Sequence, residues 1–381
     1  MPVRRAAGSA DELALLRTVV ADLSADTPLR IYADWLDSKG DPRGAFLREF
    51  LTAFDARRPL PPDPTDLNPA WADILGLTIR RRMRTDYSRS HDEYVRYAAQ
   101  TYTPNGFAAL EPYLGDILRS PKVVISLGIG APQPLGTFLL GTSRAGGCPD
   151  LPPGSVWPMA EDAQFGGRWP LQFLLQIDLS EVRGTLADGL LPPAGLLTLF
   201  RWLGHVFEQG LPLVWYTPPG VELTRLVPPT PYKWHDQSCG DREFPATVTH
   251  PVRLSESLDF PFPIPGIPEA TEPSDDPNRP STLKYVLLQN AIEGYTSGRK
   301  HVMCGSAEKE FCWVLPDYFE QRAYFIAGAN PAPEEPYLEL FELRLEEGLI
   351  WYFGDGDRLH VHVPAEPARR GDFGLAITSE L

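Results

Sequence analysis

Proline occupies 41 of the 381 positions, about twice its ordinary share. Inside a helix each would remove an amide donor and clash with the preceding turn, so a mainly helical protein is excluded. Hydrophobic residues at 43% and aromatics at 11% still supply a core. The length exceeds the ~100–200 residues of one ordinary domain. The expected class is α+β: a small helical N-terminal module, then a mainly antiparallel β body rich in loops.

The period of the apolar positions changes along the chain. Ser9-Ala10-Asp11-Glu12 forms a capping box ahead of Leu13, Leu16, Val20 and Leu23 at helical spacing. Thr27-Pro28 opens a second helix with Ile31, Trp35 and Leu36; Asp41-Pro42 opens a third with Phe46, Leu47, Phe50, Leu51 and Phe54. Helices this short hold only by packing together, which predicts a module over 1–58. Residues 59–69 carry five prolines and read as a semi-rigid linker. A helical segment over 70–120, expected to pack on the body, contains the basic run Ile79 to Arg84, read as a solvated helix face.

From Pro121 on, β-rich runs bounded by Gly and Pro predict strands at Lys122–Leu127, Leu171–Leu179, Gly195–Trp202, Thr282–Leu288, Ala323–Ala327, Leu338–Leu345 and Leu359–Val363. The pair 173–179 and 195–200 is mirrored by 340–345 and 357–362, which points to an internal duplication. The Pro-rich stretch 261–280 reads as an excursion over the surface.

No window approaches ~18 consecutive apolar residues, and no apolar run follows Arg4 and Arg5, so neither a membrane span nor a secretory signal is expected. Cys148, Cys239, Cys304 and Cys312 form no CxxC pair and read as buried thiols of a cytoplasmic protein. Residues 1–120 hold 16 of the 35 Lys and Arg and 17 of the 50 Asp and Glu, leaving 19 and 33 in residues 121–381. Nearly all of the net charge of −15 therefore lies in the C-terminal two-thirds. Such a body repels phosphate backbones, which argues against nucleic acid, and attracts a basic protein partner.

Ala10 to Arg17, Asp26-Thr27-Pro28, Tyr32-Ala33-Asp34-Trp35-Leu36 and Gly40-Asp41-Pro42-Arg43-Gly44 together resemble the bacterial repeat-companion domain over about residues 8–55. The resemblance implies a helical accessory module with no established activity. Arg144 to Pro152, Val156-Trp157-Pro158, Leu171 to Leu179, Leu191 to Leu197 and Tyr352 to Gly356 follow one another as in the YwqG-like family, a bacterial family of unknown function, over about 121–381. That resemblance implies immunity or adaptor work. The chain departs from the family at Ala145, where Lys is frequent, and at Phe341-Glu342-Leu343.

GxxxxGK[ST], GxGxxG, GxSxG and HExxH are all missing, so no catalytic residue is assigned. His360 and His362 share one strand face at i and i+2, a metal-ligand spacing, but Arg358 on that face would repel a dication. His301, Cys304 and Cys312, with His235 and Cys239, lack the paired spacing of structural zinc. No metal and no cofactor are therefore expected. Arg144, Asp150, Gln176 and Asp178 are polar within apolar runs. Once buried they must be hydrogen-bonded, either tying adjacent loops or lining a small polar pocket. Together with Trp157 and Trp234, taken as exposed aromatic anchors, they are the candidate binding residues. The expected function is a non-enzymatic protein-binding or accessory role. Its rival is a hydrolase or metal-dependent enzyme using the 144–178 pocket or the His360/His362 strand.

Overall fold

The computed structural model describes residues 9–85, 114–119, 122–161, 168–201, 212–230, 232–236, 240–244, 246–259, 301–306, 337–344, 347–349, 351, 353 and 358–380. The chain divides into two compact units, Met1–Val123 with Glu256–Gly298 and Val124–Ser255 with Arg299–Leu381.

In the first unit, α1 (Ala10–Ala21) starts where the Ser9 hydroxyl accepts the Glu12 amide at 3.2 Å. In α2 (Asp26–Ser38) Thr27 and Pro28 already lie inside the first turn, and Ala25 stands at the N-cap. Asp41 caps α3 (Pro42–Asp55) by accepting from the Arg43 amide. Leu16, Leu29, Tyr32, Leu36, Leu47 and Phe50 are fully buried. Two further helices, α4 (Pro69–Ile74) and α5 (Leu77–Thr85), join the same core. The Trp71 indole N–H donates to the Tyr32 hydroxyl at 3.0 Å, and that hydroxyl donates to Glu12 at 2.8 Å. Residues 59–69 thus connect two parts of one helical core.

The basic run behaves differently from its expected role. Arg80 is only 2% exposed and donates to the carbonyls of Leu23 and Leu75, which follow the ends of α1 and α4, where backbone carbonyls run out of intrahelical donors. Arg81 donates to the Pro61 carbonyl and to Asp63. The side chains of Arg82 and Arg84 lie outside the described residues. A short helix, α6 (Leu114–Arg119), follows.

Strands then dominate: β1 (Lys122–Ile129), β2 (Gln133–Pro134), β3 (Arg144–Ala145), β4 (Asp150–Leu151), β5 (Met159–Glu161), β6 (Arg168–Pro170), β7 (Gln172–Asp178), β8 (Leu196–Arg201) and β9 (Pro212–Thr217). They continue with β10 (Thr224–Arg225), β11 (Lys233–Asp236), β12 (Gly240–Glu243), β13 (Val248–Asp259), β14 (His301–Ser306), β15 (Tyr337–Arg344), β16 (Arg358–Pro364) and β17 (Ile377–Glu380). The large antiparallel sheet runs β17-β16-β15-β14-β1-β13-β3-β7-β8-β9, with β2 beside β13. The expected α+β class is therefore the observed one.

That order reads alike from both edges. Strands β1, β3, β7, β8 and β9 form one repeat, and β13 to β17 form the other. The first strand of each crosses over to pair with the second strand of the other: β1 with β14, and β13 with β3. Between β7 and β8, Phe173 faces Phe200 and Leu175 faces Leu199, leaving Leu174 as an extra residue. Between β15 and β16, Glu339 faces His362 and Phe341 faces Val361, leaving Leu340 extra. One bulge occurs at the same place in both copies. The apolar faces meet in a shared core of Leu175, Ile177, Leu197 and Leu199 with Phe341, Leu343, Leu359 and Val361.

The expected strands at 282–288 and 323–327, and the stretch 261–280, lie outside the described residues. Strand β13 has no counterpart among the expected strands; Pro251 interrupts it, and proline ordinarily demotes a strand. Here the Pro251 carbonyl still accepts from the Gly130 amide at 2.9 Å, so the ladder survives on that side.

Candidate functional site

Strands β3 and β7 set Arg144 opposite Gln176, and β4 brings in Asp150; none of the three is exposed at all. Arg144 Nη1 donates to Asp150 Oδ2 at 2.6 Å, and Nη2 to the Cys148 carbonyl at 2.5 Å. Gln176 Oε1 accepts the Asp150 amide at 2.9 Å, while its Nε2 donates to Asp150 Oδ2 at 3.0 Å and to the Thr142 carbonyl at 2.9 Å. The Gly141 amide also reaches Oδ2, and Arg225 Nε reaches Oδ1 at 3.1 Å. Burial pushes the Asp150 carboxyl up. The hydrogen bond and charge of Arg144, the Gly141 amide and Arg225 outweigh it and hold the group below the usual carboxylate range. Burial likewise lowers Arg144, partly offset by Asp150; a guanidinium nevertheless stays charged. The group is a buried ion pair that ties loops.

Two of the expected site residues stand elsewhere. Asp178 is half-buried and caps the 3₁₀ turn Leu179–Glu181 by accepting the Ser180 amide. Trp157 is buried, its indole N–H donating to the Leu171 carbonyl at 2.9 Å. Its ring meets Phe200 and Tyr232 edge-on, 5.6 Å and 5.0 Å between centroids. This corrects the expectation of an exposed anchor. Phe173, Phe200, Tyr232 and Phe244 form an aromatic cluster, and Trp157 completes it. Trp234 lies on β11, its side chain outside the described residues.

Arg225 extends the tie outward. Its Nη1 and Nη2 donate to the carbonyls of Leu135 and Phe138 at 3.0 Å and 3.1 Å. The Leu135 amide donates to the Thr247 carbonyl, and β2 pairs with β13 at Pro134 and Val248. Asp150 and Arg225 thereby fix the loops that carry Leu139 and Val227, exposed by 78% and 75%, beside Val248 at the start of β13, exposed by 38%. Sequence reasoning missed these side chains, because isolated apolar residues in loops have no period to reveal them.

A second polar group lies on β15 and β16. Glu339, His360 and His362 are all buried, and one ligand atom from each lies within 4.8 Å of the others. His360 Nδ1 stands 2.6 Å from Glu339 Oε1, and the two imidazole rings lie parallel with centroids 6.1 Å apart. Burial first, and His360 second, push the His362 imidazole down to about 3. Glu342, opposite His360, pairs with Arg358 at 3.8 Å and Arg344 at 3.2 Å. Glu339 is the member the sequence reading lacked. Its signal was the doublet Leu340-Phe341, which breaks the polar–apolar alternation and returns Glu339 to the face of Glu342.

Among the described residues, the other cysteine and histidine candidates do not converge. His301 Nδ1 accepts the Arg344 amide at 3.2 Å, and its ring meets Trp351 edge-on. Cys304 belongs to the shared core, burial pushing its thiol up to about 12. Cys148 is buried too, and its thiol is raised for the same reason. Cys239, Cys312 and the side chain of His235 lie outside the described residues.

A family model described as a domain of unknown function (DUF1963) matches residues 143–255. The match takes in Arg144, Asp150, Gln176 and Arg225 and ends before β14. No curated protein matches the chain. No helix among the described residues is long and apolar enough to cross a membrane.

Proposed function

We propose that the β-rich part, YwqG-like over about 121–381, is a non-catalytic protein-binding domain whose partner presents an apolar segment flanked by basic residues. The observation that carries this reading is the exposure of Leu139, on a loop that Arg225 pins through two carbonyls, and of Val227, two residues along from Arg225 itself. Apolar side chains on fixed loops form contact area already organised for binding, so little ordering entropy opposes association. The 33 acidic against 19 basic residues of 121–381 favour capture of a basic surface. The helical part, resembling the repeat-companion domain, serves as an accessory module.

The test compares capture from a bacterial lysate by the full chain and by a Leu139→Asp/Val227→Asp double variant, followed by titration with the purified partner. A basic protein retained at about 0.05 M salt, weakened at about 0.5 M, and lost by the variant supports the reading. Equal capture by both chains, or affinity insensitive to salt, rejects it.

A further inference from the structure

We infer that Glu339, His360 and His362 form a binding site for one divalent transition-metal ion of the zinc class. The site is separate from the proposed docking loops and does not depend on them.

The donor set comes first. Two imidazole nitrogens and one carboxylate oxygen suit zinc and leave a coordination position for water or another ligand. Zinc holds such donors at about 2.0–2.2 Å, which sets them roughly 3.3 Å apart. From within 4.8 Å, modest side-chain rotations close that gap. Imidazole binds a metal through the lone pair of a ring nitrogen, and each of these histidines presents one to the cluster. Arg358, whose charge argued against a cation on this face, is drawn to Glu342.

The backbone is shaped for it as well. In an unbroken ladder Glu339 would stand on the core side with Val363; the extra residue Leu340 turns it to face His362. Bulges of this kind commonly re-aim a functional side chain.

The other repeat supplies the comparison. By strand register and bulge, the positions equivalent to Glu339, His360 and His362 are Phe173, Thr198 and Phe200. There the two phenylalanines pack with Trp157 in an aromatic cluster. The same sheet face therefore forms without any ionisable group at these positions. Burying a carboxylate and two imidazoles carries a desolvation cost that aromatic rings avoid, and a bound cation offsets it.

The experiment strips the full-length protein with a chelator and titrates Zn²⁺ against a chromophoric competitor. One ion per chain is expected, weakened at least ~10-fold in Glu339→Gln and ~100-fold in His362→Ala. Since a buried substitution can disturb folding, circular-dichroism melts accompany each variant, and Co²⁺ added to the unaltered protein gives a second readout. Visible bands of a four- or five-coordinate cobalt site, erased by Zn²⁺, support the assignment. No stoichiometric Zn²⁺ binding at micromolar concentration, no such bands, or unchanged affinity in a folded variant overturns it.

Discussion

Gly146 and Cys304 occupy the same position in the two repeats, and both are left-handed, with φ of 69° and 60°. Each follows a residue that faces the far side of the bulge: Ala145 opposite Leu175, and Met303 opposite Phe341. The Gly146 amide donates at 2.8 Å to the carbonyl of the bulged Leu174. The bend asks for a left-handed residue in both copies. Glycine supplies it freely; cysteine does so at about 1–2 kcal/mol.

Substitution at these two sites should therefore act in opposite ways on backbone strain. A Cβ added at Gly146 would meet Leu349 Cδ2 at 2.5 Å, in addition to the left-handed cost. Gly146→Ala is expected to destabilise by about 2–4 kcal/mol. Cys304→Gly relieves the strain but removes a buried thiol, for a net change within about 1 kcal/mol. Urea denaturation of both variants checks the contrast. A Gly146→Ala protein as stable as the parent would contradict the shared-bend account.

Asp150→Asn leaves the fully buried Arg144 guanidinium without its carboxylate. Breaking a buried pair from one side costs about 3–5 kcal/mol. The Asp150 value is depressed in the folded state. Its stabilisation is thus complete above the unfolded carboxyl value near ~4 and disappears as pH falls through the lower folded value. Thermal melts from neutral to acid pH should show the gap between parent and variant constant above pH ~5 and shrinking below ~4. A gap that widens on acidification would reverse the assignment.

Trp157→Ala tests whether this ring is core or docking surface. Removing a buried indole should cost about 3–5 kcal/mol, and the Leu171 carbonyl would lose its donor. A melting temperature unchanged from the parent would mean that the ring is a surface anchor after all.

In the helical unit, Tyr32→Phe deletes the hydroxyl that links Glu12 to Trp71. Burial pushes that hydroxyl well above the ordinary phenol range, so it acts as a neutral donor and acceptor. The buried Trp71 N–H loses an acceptor and Glu12 keeps only Arg43 at 3.3 Å, so a loss of about 1–3 kcal/mol is expected. A fragment ending near Arg58, which lacks Trp71, should melt at lower temperature than one extending through α5. Identical melts would mark 1–58 as an independent module.

Local pattern in the sequence determined where α1 and α3 start, the class of the fold, and the pairing of 173–179 with 195–200 and of 340–345 with 357–362. Caps act within four residues, and strand alternation within two, so a linear reading captures both. It also singled out Arg144, Asp150 and Gln176 as buried polar residues needing partners. Their contacts with one another, with the Gly141 amide and with Arg225 required the fold, because β4 and β10 meet across more than seventy positions. Trp157, read as exposed beside its prolines, was buried by aromatic residues contributed from three separate segments. Glu339 joined His360 and His362 only because one extra residue in β15 turns it to their face. A bulge changes which side chains share a surface without changing composition, so burial and side-chain convergence were decided by tertiary structure.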